Sequence, residues 1–323
     1  MVYMLFDNPA DKKKMEFLKA YDETASYELV FPKEKCNSLK KMLVICSNCI
    51  NCSSRDDIII CWYDFMGIIC WWLCKFFHKN RNIVVLNILL KNKKSLRNRV
   101  VRFLYKYALK SSELKATVTS KEYGDSINKL LGINKKYVLL YDIYHEEYEV
   151  GYVGQIQEQS VFCGGRNGRD WGFLLELAKE MKDIQFNIVI SKEQYELYKD
   201  SFEENINVKS EISEEEFLKF MCQSSLVLMP LNTEAPAGLI AMFQGSANGK
   251  MIITSDTATT REYFGNERGV LCKKDINDWK MQIQYWIGHL EEANERATKM
   301  KLFLERECSK KQYSEMLQKI VSE

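Results

Sequence analysis

Acidic residues are missing from 48 consecutive positions, 65 to 112, in a chain of 323 residues. The same positions hold eleven cations (Lys75, Lys79, Arg81, Lys91, Lys93, Lys94, Arg97, Arg99, Arg102, Lys106 and Lys110), which against a formal net charge of +2 leaves −9 for the remainder. A segment of one sign cannot neutralise itself and attracts an anionic partner, either a lipid leaflet or nucleic acid. No nucleic-acid reading motif accompanies it. Trp71, Trp72, Phe76 and Phe77 stand beside the first lysines, and amphipathic rings suit a lipid–water boundary. The expectation is a protein peripheral to the inner face of the cell membrane, held there by segment 75–110, with no nucleic-acid partner.

Other absences narrow the chemistry. No basic region or small-residue cleavage site accompanies the apolar start Met1–Asp7, which reads as a strand rather than a secretory leader. The eleven cysteines are odd in number and several lie in apolar runs, as expected of free thiols in a reducing cytoplasm. Cys46, Cys49 and Cys52 are spaced like cluster ligands, but the next cysteine is Cys61, inside a strand-like run, so they read as cysteines at a helix end. There is no Asp-x-Asp to hold a metal, and His78, His145 and His289 fall at a helix end, in a connector and in a late helix. No metal site is expected.

The pattern that is present alternates strand and helix. Residues 58–77 form an apolar window long enough to span a bilayer. Asp64 and Gly67 interrupt it, and a carboxylate at that depth would be costly in lipid. The window therefore reads as a strand to Tyr63, a turn, and a helix from Met66 to His78, either a core helix with aromatic ends or an interfacial one. A helix over 38–46 places Leu39, Met42, Leu43 and Cys46 on one face, and one over 95–109 turns Leu96, Val100, Phe103, Leu104 and Tyr107 inward. After a connector at 142–159 the alternation restarts. Repeated strand–helix units imply parallel sheets covered on both faces. The expected fold class is α/β, with two Rossmann-like domains facing a cleft: 1–155 for the acceptor and membrane, 156–300 for the donor, and 301–323 as a helix returning to the first.

The stretch 160–175, Ser-Val-Phe-Cys-Gly-Gly-Arg-Asn-Gly-Arg-Asp-Trp-Gly-Phe-Leu-Leu, joins a strand to a helix through glycines and two arginines. Glycines let backbone approach a ligand, a helix start offers free N–H groups to an anion, and guanidiniums suit phosphate. An ordinary strand–turn–helix with surface arginines would look the same. Further on, 213–216 (Ser-Glu-Glu-Glu) reads as a capping box, and 233–250 is a loop with Pro236-Ala237-Gly238-Leu239 feeding a helix.

Together, Gly-Gly-Arg-x-x-Arg-Asp-Trp, the helix start at Ile212, Pro230, the Pro-Ala-Gly-Leu loop, Gly249-Lys250, Asp256 and Arg261-Glu262-Tyr263 resemble the GT-B glycosyltransferases of the family 4 type, which build bacterial surface polysaccharides. The resemblance covers the C-terminal half; the first half matches in architecture alone. It implies transfer of a sugar, with retention, from a nucleotide diphosphate sugar to a glycan or polyisoprenyl diphosphate-linked acceptor, without a cofactor or metal. Gly165, Arg166 and Arg169 match the diphosphate site, and Ala237, Gly238 and Leu239 the loop whose amides face phosphate or sugar. The family's two glutamates, eight positions apart, are altered here: Glu234 remains a candidate for the sugar side, but Gln244 stands where a ribose-binding glutamate is expected, ten positions on. Asp64, just past a strand end, is the candidate to orient an acceptor hydroxyl, with a cap or turn role as the alternative. A non-catalytic GT-B partner of another transferase is the rival reading, and a sugar-nucleotide epimerase on a similar double fold a third.

Overall fold

The apolar runs 2–5, 58–61 and 82–85 leave room for few polar side chains on either face, so they fold as strands buried on both sides. In the computed structural model, which describes residues 1–20, 27–90, 95–152 and 154–322, they centre an all-parallel sheet. Its strands are β1 (Val2–Leu5), β2 (Tyr27–Val30), β3 (Ile58–Cys61), β4 (Asn82–Val85), β5 (Leu114–Val118) and β6 (Val138–Leu139), in the order β2-β1-β3-β4-β5-β6. Met4 pairs with Ile60 and Ile60 with Val84, which keeps the apolar side chains of neighbouring strands in one row. The helices between them are α1 (Lys12–Met15), α2 (Phe17–Ala20), α3 (Leu39–Cys52), α4 (Asp64–Phe76), α5 (Leu96–Lys110) and α6 (Lys121–Leu131). Ser38, Ser95 and Ser120 cap α3, α5 and α6 through their hydroxyls.

The second sheet repeats the scheme with β7 (Gln157–Gly164), β8 (Gln185–Ile190), β9 (Ile206–Ser210), β10 (Ser224–Met229), β11 (Ile252–Ser255) and β12 (Val270–Cys272). Its order is β12-β11-β10-β7-β8-β9, again all parallel. The order reverses between β7 and β10. In open α/β sheets ligands bind at such a switch point, outside the carboxyl ends of the strands. Its helices are α7 (Trp171–Glu180), α8 (Lys192–Tyr198), α9 (Glu214–Cys222), α10 (Leu239–Ala247), α11 (Ala258–Phe264), α12 (Ile276–Ile287) and α13 (Leu290–Glu307). The chain divides into two compact units, residues 1–143 with 310 onward, and 144–309. The last helix, α14 (Lys310–Ser322), thus returns to the first unit, where Tyr313, Leu317 and Ile320 join Met4, Phe6 and Leu18 in its core. Lys115 Nζ donates to the Ile320 carbonyl at 3.0 Å and holds it there.

Several sequence expectations need correcting. The apolar stripe of α5 faces out: Leu96 is 77% exposed and Phe103 52%, whereas Tyr105, Ala108 and Leu109 are buried. In α3 the inward positions are Cys46, Cys49 and Ile50, with Leu39 exposed, because the helix runs two turns further than its apolar start suggests. Of the spaced cysteines Cys52 is exposed while Cys46 donates its thiol to the Met66 carbonyl. At three residues, the strand β12 is too short to leave a pattern in the sequence. No described helix is long and apolar enough to cross a membrane; the window 58–77 is β3 followed by α4, which buries Met66, Ile68, Ile69 and Cys70. Lys91, Lys93 and Lys94 of the basic segment lie outside the described residues.

Candidate functional site

At the switch point two loops meet: one leaves β7 through Gly164–Asp170, the other leaves β10 through Pro230–Gly238. Backbone bonds stitch them together, Asp170 N–H to the Pro230 carbonyl at 2.9 Å and Asn232 N–H to the Gly168 carbonyl at 3.0 Å. Arg169 and Leu231 form an isolated antiparallel bridge, and Asn232 Nδ2 donates to the Arg169 carbonyl at 2.9 Å. The glycine-rich sequence permits this closeness. A Cβ on Gly168 would come within 2.6 Å of the Ala237 Cβ.

Arg169 fills the space between the loops and is only 5% exposed. Its Nε donates to the Gly164 carbonyl and its Nη1 to the Asn167 carbonyl, each at 2.8 Å. Gly165 (φ 123°) presses against Nη2, and a Cβ on Gly238 (φ 80°) would lie 2.8 Å from Nη1. Both glycines therefore answer to backbone conformation and to the guanidinium at once. Burial lowers the Arg169 pKa below its ordinary value. The side chain makes no ion pair with any described residue. A buried charge without a counter-charge is expensive.

Beside it, α10 begins at Gly238 with no side chain capping its amino end. The first N–H groups of a helix lack intrahelical partners, and its dipole places partial positive charge there. The helix following the arginines behaves differently. Asp170 Oδ1 accepts from Phe173 N–H at 3.3 Å and its Oδ2 pairs with Lys274 at 2.7 Å, so the start of α7 already holds a carboxylate. The helix start open to an anion is that of α10, not α7.

Arg166 is exposed and does not share the Arg169 cradle. It lines an adjoining pocket of about 310 Å³ with Gly165, Ile190, Ile212, Glu214 and Phe217. The Phe217 ring packs where a Cβ on Gly164 would stand, 2.5 Å from Cε2, and lies edge-on to Phe162 at 5.1 Å. The Ser213–Glu216 capping box is present and sets the start of α9 at this pocket. Gln244 is buried on α10, and its Nε2 donates to Glu214 Oε1 at 3.2 Å. In the sequence the capping box locates the turn of Glu214, but nothing local shows that it meets Gln244. Ala237 and Leu239 flank Gly238, while Glu234 is exposed in the same loop.

Asp64 belongs to the first unit. It is 3% exposed and starts α4. Oδ1 accepts from Phe65 N–H, and Oδ2 from Leu89 N–H and Tyr105 OH, all at 2.8 Å. Burial raises its pKa, against the lowering effect of these bonds. This is an anchored carboxylate that ties α4 to α5 and to the segment after β4.

The family profile described as "Glycosyl transferase-like" matches residues 166–321. A solved sucrose-phosphate synthase from Thermosynechococcus elongatus superposes with a TM-score of 0.75 over 99% of this chain and 98% of its own, at 12% identity. Anabaena HepE in complex with UDP gives 0.72 over 99% of both chains, at 11% identity. The fold is GT-B. WaaG, a glycosyltransferase involved in lipopolysaccharide biosynthesis, shares this GT-B architecture at a TM-score of 0.66 over the whole of both chains, with 10% identity. No curated protein sequence matches significantly.

Proposed function

We propose that this GT-B protein transfers a sugar from a nucleotide diphosphate sugar to a hydroxyl of a glycan or a polyisoprenyl diphosphate-linked glycan. The observation that carries the reading is Arg169: a guanidinium 5% exposed, without a carboxylate partner, at the sheet's switch point and beside an uncapped helix start. Such a site lacks an anion, and a diphosphate supplies one. UDP, named in the solved complexes of HepE and of a pneumococcal O-GlcNAc transferase, is a ligand of that class.

In this reading the diphosphate lies against Arg169 and the N–H groups of Gly238 and Leu239. Negative charge grows on it as the glycosidic bond breaks, and fixed donors stabilise that charge without reorganising. Arg166 meets the α-phosphate from the rim, Ile190, Ile212 and Phe217 pack on the base, and Gln244 with Glu214 accepts and donates to ribose hydroxyls. Glu234, on the same loop as Gly238, approaches the sugar, and departure proceeds with retention, as the resemblance implies. Asp64 acts as a positioning residue for the acceptor half, because its oxygens already hold three donors. The arginines supply the charge a metal would otherwise provide, so a chelator should leave the rate unchanged.

The test is turnover of sugar nucleotides in the presence of lipid-linked or free glycan acceptors, with Arg169→Ala as control. Donor hydrolysis or transfer that disappears in the variant supports the enzyme. The replacement of a glutamate by Gln244 favours one rival, a non-catalytic partner of another transferase, and failure to bind any sugar nucleotide would point to it. An isomerised free sugar nucleotide would instead indicate an epimerase.

A further inference from the structure

The α5 helix departs from the rule that an amphipathic helix buries its apolar stripe. Leu96, Val100, Phe103 and Tyr107 recur at helical spacing and are 77, 55, 52 and 48% exposed, while the opposite face buries Tyr105, Ala108 and Leu109. The outward row is preassembled. Tyr107 lies 4.6 Å from Phe103, Phe103 stacks on Trp72 at 6.5 Å, and Trp72 donates its indole N–H to the Leu104 carbonyl at 3.2 Å. Phe76, at the end of α4, is 76% exposed.

Apart from Arg102, which is engaged within the protein, the described cations of this segment divide into two groups. Lys75 pairs with Glu113 at 2.6 Å, Lys79 donates to Asn51, and Arg81 is bound to Ile50 and Ser53. Those three serve the domain itself. Arg97, Arg99, Lys106 and Lys110, on α5, make no ion pair with a described residue. Around the helix, Arg99, Lys106 and Lys110 border one side of the apolar row and Arg97 the other.

We infer that the outward face of α5 lies in the headgroup layer of an anionic lipid leaflet, with Val100, Phe103 and Tyr107 inserted and the flanking cations on the lipid phosphates. An apolar row bordered by unpaired cations complements such a surface on both counts. A second copy of the chain fits less well, because a two-fold pairing of α5 would bring the same cations together and α5 itself carries no acidic residue. The inference does not depend on the donor site in the other unit.

Flotation with phosphatidylcholine vesicles, with and without a third of phosphatidylglycerol, tests it on the full chain. The expected result is co-flotation with the anionic vesicles, at least tenfold weaker on phosphatidylcholine alone. Val100→Ser/Phe103→Ser should weaken it at least tenfold at low salt, and Arg99→Glu/Lys106→Glu should abolish it, with the thermal midpoint and nucleotide binding unchanged in both. The inference is overturned if the wild type stays unbound, or if the serine variant floats like the wild type. It is equally overturned if the wild type is a dimer that the serine variant dissociates, or if single-stranded nucleic acid binds this face more tightly than the vesicles do. Loss of nucleotide binding in a wild type that still floats would instead count against the transferase reading alone.

Discussion

Two regions of this protein break the usual rules in opposite ways. At the switch point of the second sheet a positive charge is buried with carbonyls around it and no counter-charge among the described residues; on α5 apolar side chains stand in solvent with cations at their border. Asp64 obeys the rules: it too is a buried charge, but three donors surround it. The difference separates residues that complete the fold from residues that await something outside it. A satisfied buried carboxylate belongs to stability. On the proposed reading, an unanswered guanidinium and an uncovered apolar row belong to binding.

That contrast can be broken most directly at Arg169. Arg169→Met should reduce affinity for a nucleoside diphosphate about 10²- to 10³-fold, which corresponds to the roughly 3–4 kcal/mol lost when one partner of a buried, hydrogen-bonded charge pair is removed. Calorimetry reads it, and an unchanged affinity would place Arg169 among the structural charges. Asp64→Ala sharpens the other side: it strands the Leu89 N–H and the Tyr105 hydroxyl, and should cost roughly 2–4 kcal/mol in denaturant unfolding, with donor affinity intact. Gly165→Ala puts a methyl against the guanidinium at a backbone angle that disfavours side chains, so donor affinity should fall about 10-fold while the first unit's stability stays the same.

A separate expected effect concerns Asp142, whose Oδ1 accepts from Asn87 Nδ2 at 3.0 Å. Burial pushes its pKa up from 3.8 to about 6. The native state then binds more protons than the unfolded chain between those values, so stability falls as pH rises from about 4 to about 6. The size should be about 1–3 kcal/mol, and Asp142→Asn should flatten this part of the profile.

Much of the fold was legible because its signals are local. The apolar runs at 58–61 and 226–229, the serine caps and the capping box at Ser213 each follow from a few neighbouring residues. What periodicity cannot disclose is which way a stripe faces. The apolar row of α5 reads as core from sequence, and its exposure is settled by the packing of Tyr105, Ala108 and Leu109 instead. The site was legible in part for the same reason. The glycine–arginine loop and the Pro-Ala-Gly-Leu loop stand out separately, but that Arg169 lies between Gly165 and Gly238, and that Glu214 meets Gln244, depends on side chains far apart in sequence. Arg166 and Arg169 look equivalent in the chain and differ in the fold: one lines a pocket rim, the other is enclosed.

The most direct measurement compares, on the wild-type protein, calorimetric affinities for nucleoside diphosphates and for the corresponding nucleosides. If an anion completes the site at Arg169 and the start of α10, at least one diphosphate should bind more than a hundredfold tighter than its nucleoside. Equal affinities, or no diphosphate binding at all, would contradict that account.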